Sequence, residues 1–290
     1  MYSPEVQAML DEEAKKEAKQ NFPQLHPVKI RLVGKNPNKP NVEEAGKFYS
    51  QEWSEFDKKY LEKMPFGVEP FNQFSGIVLD VSYRADWKFR EGQTTTLKTR
   101  EFHDWKGQIE LLKFEYGDKT KVSTAKVFQS YADFKAAFAG IDEMTGIEKQ
   151  SPYDLIACIY LYQPTIKALC KYEIKGMTRS SFWDYQSNWQ KAVSETKTMK
   201  NVITVFGVEE GEKGFAGTFK PSGLAPEETM IEVLKNLKEL RAWQEGWETS
   251  RKAIESVDSP DLPVIDALAD VGLIPRQNQE EEIDVSSIPF

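Results

Sequence analysis

Aromatic rings and cations are interleaved along Tyr83, Arg84, Trp87, Lys88, Phe89 and Arg90, and a second group, Lys98, Arg100, Phe102 and Trp105, follows after a short connection. Nucleic-acid bases offer π-faces that stack on aromatic side chains whatever their identity, while Lys and Arg neutralise phosphates. A surface of this composition holds single strands without reading their sequence. A third set, Lys167, Lys171 and Lys175, recurs on one side of an alternating segment and offers a groove that tracks a phosphate backbone. Each set also has a plainer reading, in which rings pack inward and cations stay in water. On an unbroken strand Trp87 and Phe89 share one side and Lys88 and Arg90 the other, so the group carries more weight than any member.

Catalytic chemistry has fewer handles. The chain has no Gly-x-x-x-x-Gly-Lys-Ser/Thr phosphate loop, no Gly-x-Gly-x-x-Gly, no His-Glu-x-x-His and no Gly-x-Ser-x-Gly. His26 and His103 are its two histidines, so the usual general base for a Ser or Cys nucleophile is scarce. Cys158 and Cys170 lie in apolar, strand-like segments without paired spacing and read as reduced core thiols. No zinc site, resident metal or cofactor is expected. Carboxylate chemistry stays open, because Asp80 on one segment and Glu110 with Lys113 on another can imitate a metal-dependent nuclease.

The elements that position these residues follow from periodicity. Residues 5–21, rich in Ala, Glu and Lys, predict a peripheral helix. Val28, Ile30 and Leu32 alternate with Lys29 and Arg31 as in a strand, and Gly34–Asn41 reads as a loop. Phe48, Tyr49, Trp53, Phe56 and Tyr60 recur near helical spacing and predict a helix, broken by Pro65, Gly67 and Pro70. Ile77–Tyr83 predicts a strand, with 91–96 a flexible connection and Leu97–Trp105 its return. Residues 108–116 and 119–128 predict a hairpin about Gly117 and Asp118. A short helix over Tyr131–Ala139, a central strand over Asp154–Gln163 and an alternating strand over Ile166–Lys175 follow. Ser180 is a candidate N-cap for a helix to Val193, Val202–Val208 and Gly214–Lys220 form a strand pair, and Pro226 opens a long helix to about Glu255. Without regular βα alternation, this predicts an α+β protein, a mostly antiparallel OB-like β-barrel elaborated with helices. The corresponding domains are a peripheral helix at 1–22, a nucleic-acid-binding body at 23–222, a C-terminal helix at 223–256 and a flexible acidic tail at 257–290.

Composition bounds the setting. Of 290 residues, 40% are hydrophobic and 12% aromatic, as suits a folded chain. No run of about 18 apolar residues occurs, and the start lacks a basic region followed by an apolar one, so a soluble, cytoplasmic, non-exported protein is expected. The net charge of −8 is unevenly spread: Val257–Phe290 carries eight acidic residues and one basic, whereas Pro23–Val208 carries 27 Lys and Arg against 23 Asp and Glu. A mildly basic body is thus joined to an acidic end.

That end has its own logic. Glu280, Glu281, Glu282 and Asp284 precede Ile288, Pro289 and a terminal Phe290. Pro289 limits the conformations lost on docking, Phe290 offers apolar surface, and the terminal carboxylate suits capture by an Arg or a backbone nest. The tip resembles the acidic C-terminal peptide of bacterial and phage-type single-stranded DNA-binding proteins, which ends in Ile-Pro-Phe; Val285, Ser286 and Ser287, standing between the acids and the tip, depart from that pattern. The resemblance covers eleven residues and implies a body that coats single-stranded DNA in replication, recombination or repair, in a bacterial or phage-infected cytoplasm. It further implies that Ile288, Pro289 and Phe290 dock on replication or repair enzymes, helped by the four carboxylates. A strand-annealing mediator, the nuclease and an adaptor that binds no DNA are the alternatives. The late helix is available for self-association into a homo-oligomer.

Overall fold

The computed structural model describes residues 25–34, 45–57, 59–61, 64–65, 72–87, 95–115, 122–139, 151–193, 198–212 and 214–255. The expected N-terminal helix, most of the Gly34–Asn41 loop, the Gly117 and Asp118 turn and the acidic tail lie outside them. Two compact units are found. Among the described residues, one comprises those up to Arg84 and those from Leu155 to Glu255; the other comprises those between Ala85 and Asp154. No helix among the described residues is long and apolar enough to cross a membrane.

The first unit is built on β6 (Phe74–Trp87), β10 (Tyr153–Gln163) and β11 (Ala168–Ile174), of which β6 and β10 continue into the second unit. β10 and β11 form an antiparallel hairpin, with Leu161 opposite Cys170. Its turn is held by Gln163, whose Oε1 accepts the Ile166 N–H at 2.8 Å, and it places Lys167 at φ 50°. β1 (Val28–Leu32) joins β11 in parallel, β2 (Phe48–Gln51) joins β1 antiparallel, and β5 (Met64–Pro65) joins β2. β12 (Val202–Gly211) and β13 (Gly214–Leu224) form a second hairpin, and β12 also pairs with β6. β3 (Trp53–Ser54) and β4 (Lys59–Tyr60) make a separate two-stranded ladder.

β10 is buried on both faces from Ala157 to Gln163, which explains its apolar run. On one face Ile77, Leu79, Cys158, Tyr160, Tyr162 and Leu169 pack against Val233, Leu237 and Leu240 of the long helix at Glu227–Glu255. On the other, Phe74 stacks on Phe206 with centroids 4.6 Å apart, and both rings meet Tyr172 edge-on. Phe219 on β13 continues this cluster to Phe182 and Tyr185 of the helix at Gly176–Ala192. Cys158 and Cys170 are buried and not joined in a disulfide, and burial pushes the Cys170 thiol well up.

In the second unit, β7 (Thr95–Thr99), β8 (Ile109–Glu115) and β9 (Val122–Phe128) run antiparallel in sequence order, with an irregularity between Leu111 and Leu112. β7 meets the end of β6, Asp86 opposite Lys98. A short helix, Tyr131–Ala137, is capped by Ser130, whose Oγ accepts the Asp133 N–H at 3.1 Å. Its fully buried Phe134 lies among Trp87, Phe128, Phe138 and Tyr153.

The mixed α+β class and the mostly antiparallel sheet are as expected, and the late helix and both hairpins fall where periodicity places them. No closed barrel is found among the described residues. Two elements differ from expectation. Residues 48–65 form β2 to β5 rather than a helix: Phe48 and Ser50 are buried while Tyr49 and Gln51 are half-buried, a period of two, and Trp53 faces Tyr60 across a turn. Nor is Ser180 an N-cap. The helix begins a turn earlier, after Lys175, and Ser180 Oγ instead donates back to the Gly176 carbonyl at 3.4 Å.

Phe206, fully buried and touching three aromatic neighbours, is a direct probe of the first unit's core. Phe206→Ala is expected to lower the unfolding free energy by about 3–5 kcal/mol, read from the midpoint of a urea denaturation; an unchanged midpoint would contradict this packing.

Candidate nucleic-acid interface

The basic and aromatic residues singled out in the sequence divide by burial. Tyr83 is 8% exposed and Trp87 6% exposed. Tyr83 packs near Trp183, whose Nε1–H donates to the Tyr83 hydroxyl at 3.2 Å, and burial raises that hydroxyl's pKa. Trp87 sits in the second unit's core against Phe134, Phe138 and Tyr153. Both rings are therefore core side chains, a correction to their expected role as stacking surfaces: a base cannot lie on a face already covered by other rings. Trp105 is half-buried between Phe102 and Tyr131. Lys88, Phe89 and Arg90 lie outside the described residues, as do Glu280, Glu281, Glu282, Asp284, Ile288, Pro289 and Phe290.

The cations are placed differently from one another. Lys98 lies 3.6 Å from Asp86 and stays 38% exposed. Arg100 is bound to Glu110, which is 8% exposed and also accepts the Thr124 hydroxyl at 2.7 Å. Glu110 is thus engaged structurally, and Asp80 accepts a bond from Gln244 Nε2 at 2.7 Å. Lys167 and Lys175 are exposed, at a turn and at the start of a helix, so they do not share one strand face with Lys171.

One cluster brings cations and rings together within the first unit. Arg84 donates through Nη1 and Nη2 to the two oxygens of Glu173, each at 3.1 Å. Lys171 reaches Glu173 Oε1 at 3.1 Å and lies 5.4 Å from the Tyr160 ring centroid. Burial alone would raise the Glu173 pKa, but the neighbouring Lys171 and Arg84 outweigh it and hold the carboxyl down at about 2. Two cations share a single carboxylate, so the three groups together stay positive.

Lys29 stands beside Lys171 on the parallel β1–β11 pair, where like charges in register repel. The repulsion is relieved on each side: Lys171 turns to Glu173, and Lys29 Nζ lies 3.6 Å over the face of Tyr60. Tyr60 donates its hydroxyl to the Pro27 carbonyl at 3.1 Å. Its pKa is raised first by burial, with Lys171 opposing and Glu173 reinforcing, which sets this ring in the field of the ion cluster. Trp53 packs edge-on against Tyr60 and stacks on His26 with centroids 3.8 Å apart. Lys29, Trp53, Tyr60, His26 and Glu173 escaped notice in the sequence as site members. The signal for Trp53 and Tyr60 was present as two aromatics flanking a polar stretch, but helical spacing masked it.

No protein-family model, no curated protein and no solved structure matches the chain. The cluster's chemistry must therefore speak from its own geometry: fixed cations beside aromatic faces, suited to a polyanion that carries rings.

The Glu173 pKa gives a signed prediction. Its folded value of about 2 lies below the ordinary 4.5, so the carboxylate contributes stability above 4.5 that is lost as pH falls from 4.5 towards 2. Glu173→Gln is expected to flatten the acid limb of a thermal-melting series across that window; a variant whose melting temperature falls in parallel with the wild type would refute the assignment.

Proposed function

We propose that the chain is a sequence-independent single-stranded DNA-binding protein of replication, recombination or repair, and that its C-terminal tip recruits partner enzymes. The peptide from Glu280 to Phe290 carries the reading, since acids that end in an apolar Ile-Pro-Phe tip suit docking on a basic pocket and have no role in solvation alone. The ion and ring cluster of Lys29, Arg84, Lys171 and Tyr60 supports it from the side of the body. Phosphates would approach Lys29 and the positive Arg84–Glu173–Lys171 group, releasing counterions, while bases would stack on nearby rings. We also assign the body to the OB type. In support stand its mostly antiparallel strands and the irregularities at Ile203/Thr204 and Leu111/Leu112, which bend strands as a curled sheet requires.

Titration of the intrinsic tryptophan fluorescence with oligo-dT at two salt concentrations tests the binding function. Quenching and an affinity that falls with salt are expected; neither quenching nor salt dependence would overturn it. Lys29→Ala should weaken binding about equally for all sequences and lower the salt slope by about one. Deleting residues 280–290 should leave strand binding intact and abolish association with replication or repair enzymes, so a truncated chain that still binds those enzymes would remove the tail's role.

A further inference from the structure

We propose that the β3–β4 ladder is a finger whose tip ring, Phe56, stacks on the bases of a bound single strand, with the exposed Lys29 at its root facing the phosphates. Such a finger presupposes the strand-binding function proposed above and names the residues that would perform it. Base stacking requires an open ring face. Tyr83 and Trp87 have none, whereas Phe56 is 96% exposed. Among the described residues it is the one Phe, Tyr or Trp in the exposed class.

A single exposed apolar residue is ordinary on a protein surface. What distinguishes Phe56 is the construction that carries it. A ladder of two residues per strand, Trp53 opposite Tyr60 and Ser54 opposite Lys59, is too short to hold its shape unaided. Here it is fixed at both ends. At the tip, Ser54 Oγ donates to Asp57 Oδ2 at 2.9 Å and accepts the Asp57 N–H at 3.1 Å, so the carboxylate flanking the ring is tied into the turn. At the root, Leu61 N–H donates to the Glu52 carbonyl at 2.8 Å, Trp53 stacks on His26, and Tyr60 is bonded to Pro27. One root ring also meets a cation directly, with Lys29 Nζ 3.6 Å over the face of Tyr60. With the turn that carries the ring already tied, only the side chain's own freedom is lost when a base settles on it. Lys59, exposed on the same finger, adds a further cation along the path.

Fluorescence anisotropy of labelled oligo-dT, and of a matched oligonucleotide made of abasic sites, tests the finger. Phe56→Ala should bind oligo-dT about tenfold more weakly with an unchanged salt slope, and should bind the abasic strand as the wild type does. Phe56→Trp should keep the wild-type affinity and report binding by quenching of its added indole. The substituted side chain stands in solvent, so folding is expected to be preserved and is checked by circular dichroism. If Phe56→Ala binds oligo-dT like the wild type, or loses affinity equally for the abasic strand, the finger is refuted while strand binding stands. If the wild type binds neither oligonucleotide, function and finger fall together.

Discussion

Burial of β6 and β10 on both faces is the constraint on which the first unit depends. A sheet covered on one side by the helix at Glu227–Glu255 and on the other by β12, β13 and the helix at Gly176–Ala192 needs large apolar side chains in both directions. Aromatic residues supply that volume, and edge-to-face pairs such as Phe74 with Tyr172 add about 0.5–1.5 kcal/mol beyond area burial. The interior thus takes most of the rings that an aromatic-rich sequence offers. The rings of Trp53, Phe56 and Tyr60 stand on the short β3–β4 ladder and its turn, where none of them is fully buried.

Charge is organised by the same economy of space. Glu173 keeps 38% of its side chain exposed, and Arg84 and Lys171 outweigh the desolvation it does suffer. The exchange works in both directions: the carboxylate keeps two cations close together that would otherwise repel, and it orients their nitrogens. Arg84 on β6 and Glu173 on β11 are thereby linked across the width of β10. Shared neutralisation differs from a one-to-one ion pair in leaving positive charge on the cluster.

Much of the fold was legible in the sequence, and what was legible had strong period. The alternation of Val28, Ile30 and Leu32, the apolar run to Gln163 and the hairpins at 108–128 and 202–224 all became strands. The stretch from Phe48 to Tyr60 was misread because Trp53, Phe56 and Tyr60 are three and four apart, a spacing that a helix and a tight hairpin share. The candidate site was less legible. Ring and cation identities along Tyr83, Arg84 and Trp87 are visible in a string, but whether a ring is covered depends on partners such as Trp183 and Phe134, distant in the chain. Likewise nothing local announces that Lys29 would come beside Lys171, since parallel pairing joins segments more than a hundred residues apart.

Among the described residues, β6 and β10 pass from one unit into the other, so that the stretch Ala85–Asp154 is an insertion within the first unit. Its described elements are contiguous in the chain, whereas the first unit needs segments from both before and after it. During synthesis, therefore, the inserted unit has its strands and its Phe134 core helix available while β11, β12 and β13 are still untranslated. The usual order of N-terminal before C-terminal is reversed in effect: the middle of the chain can fold first, and Lys29, emerging among the earliest of the described residues, waits for Lys171 before the ion cluster exists at all.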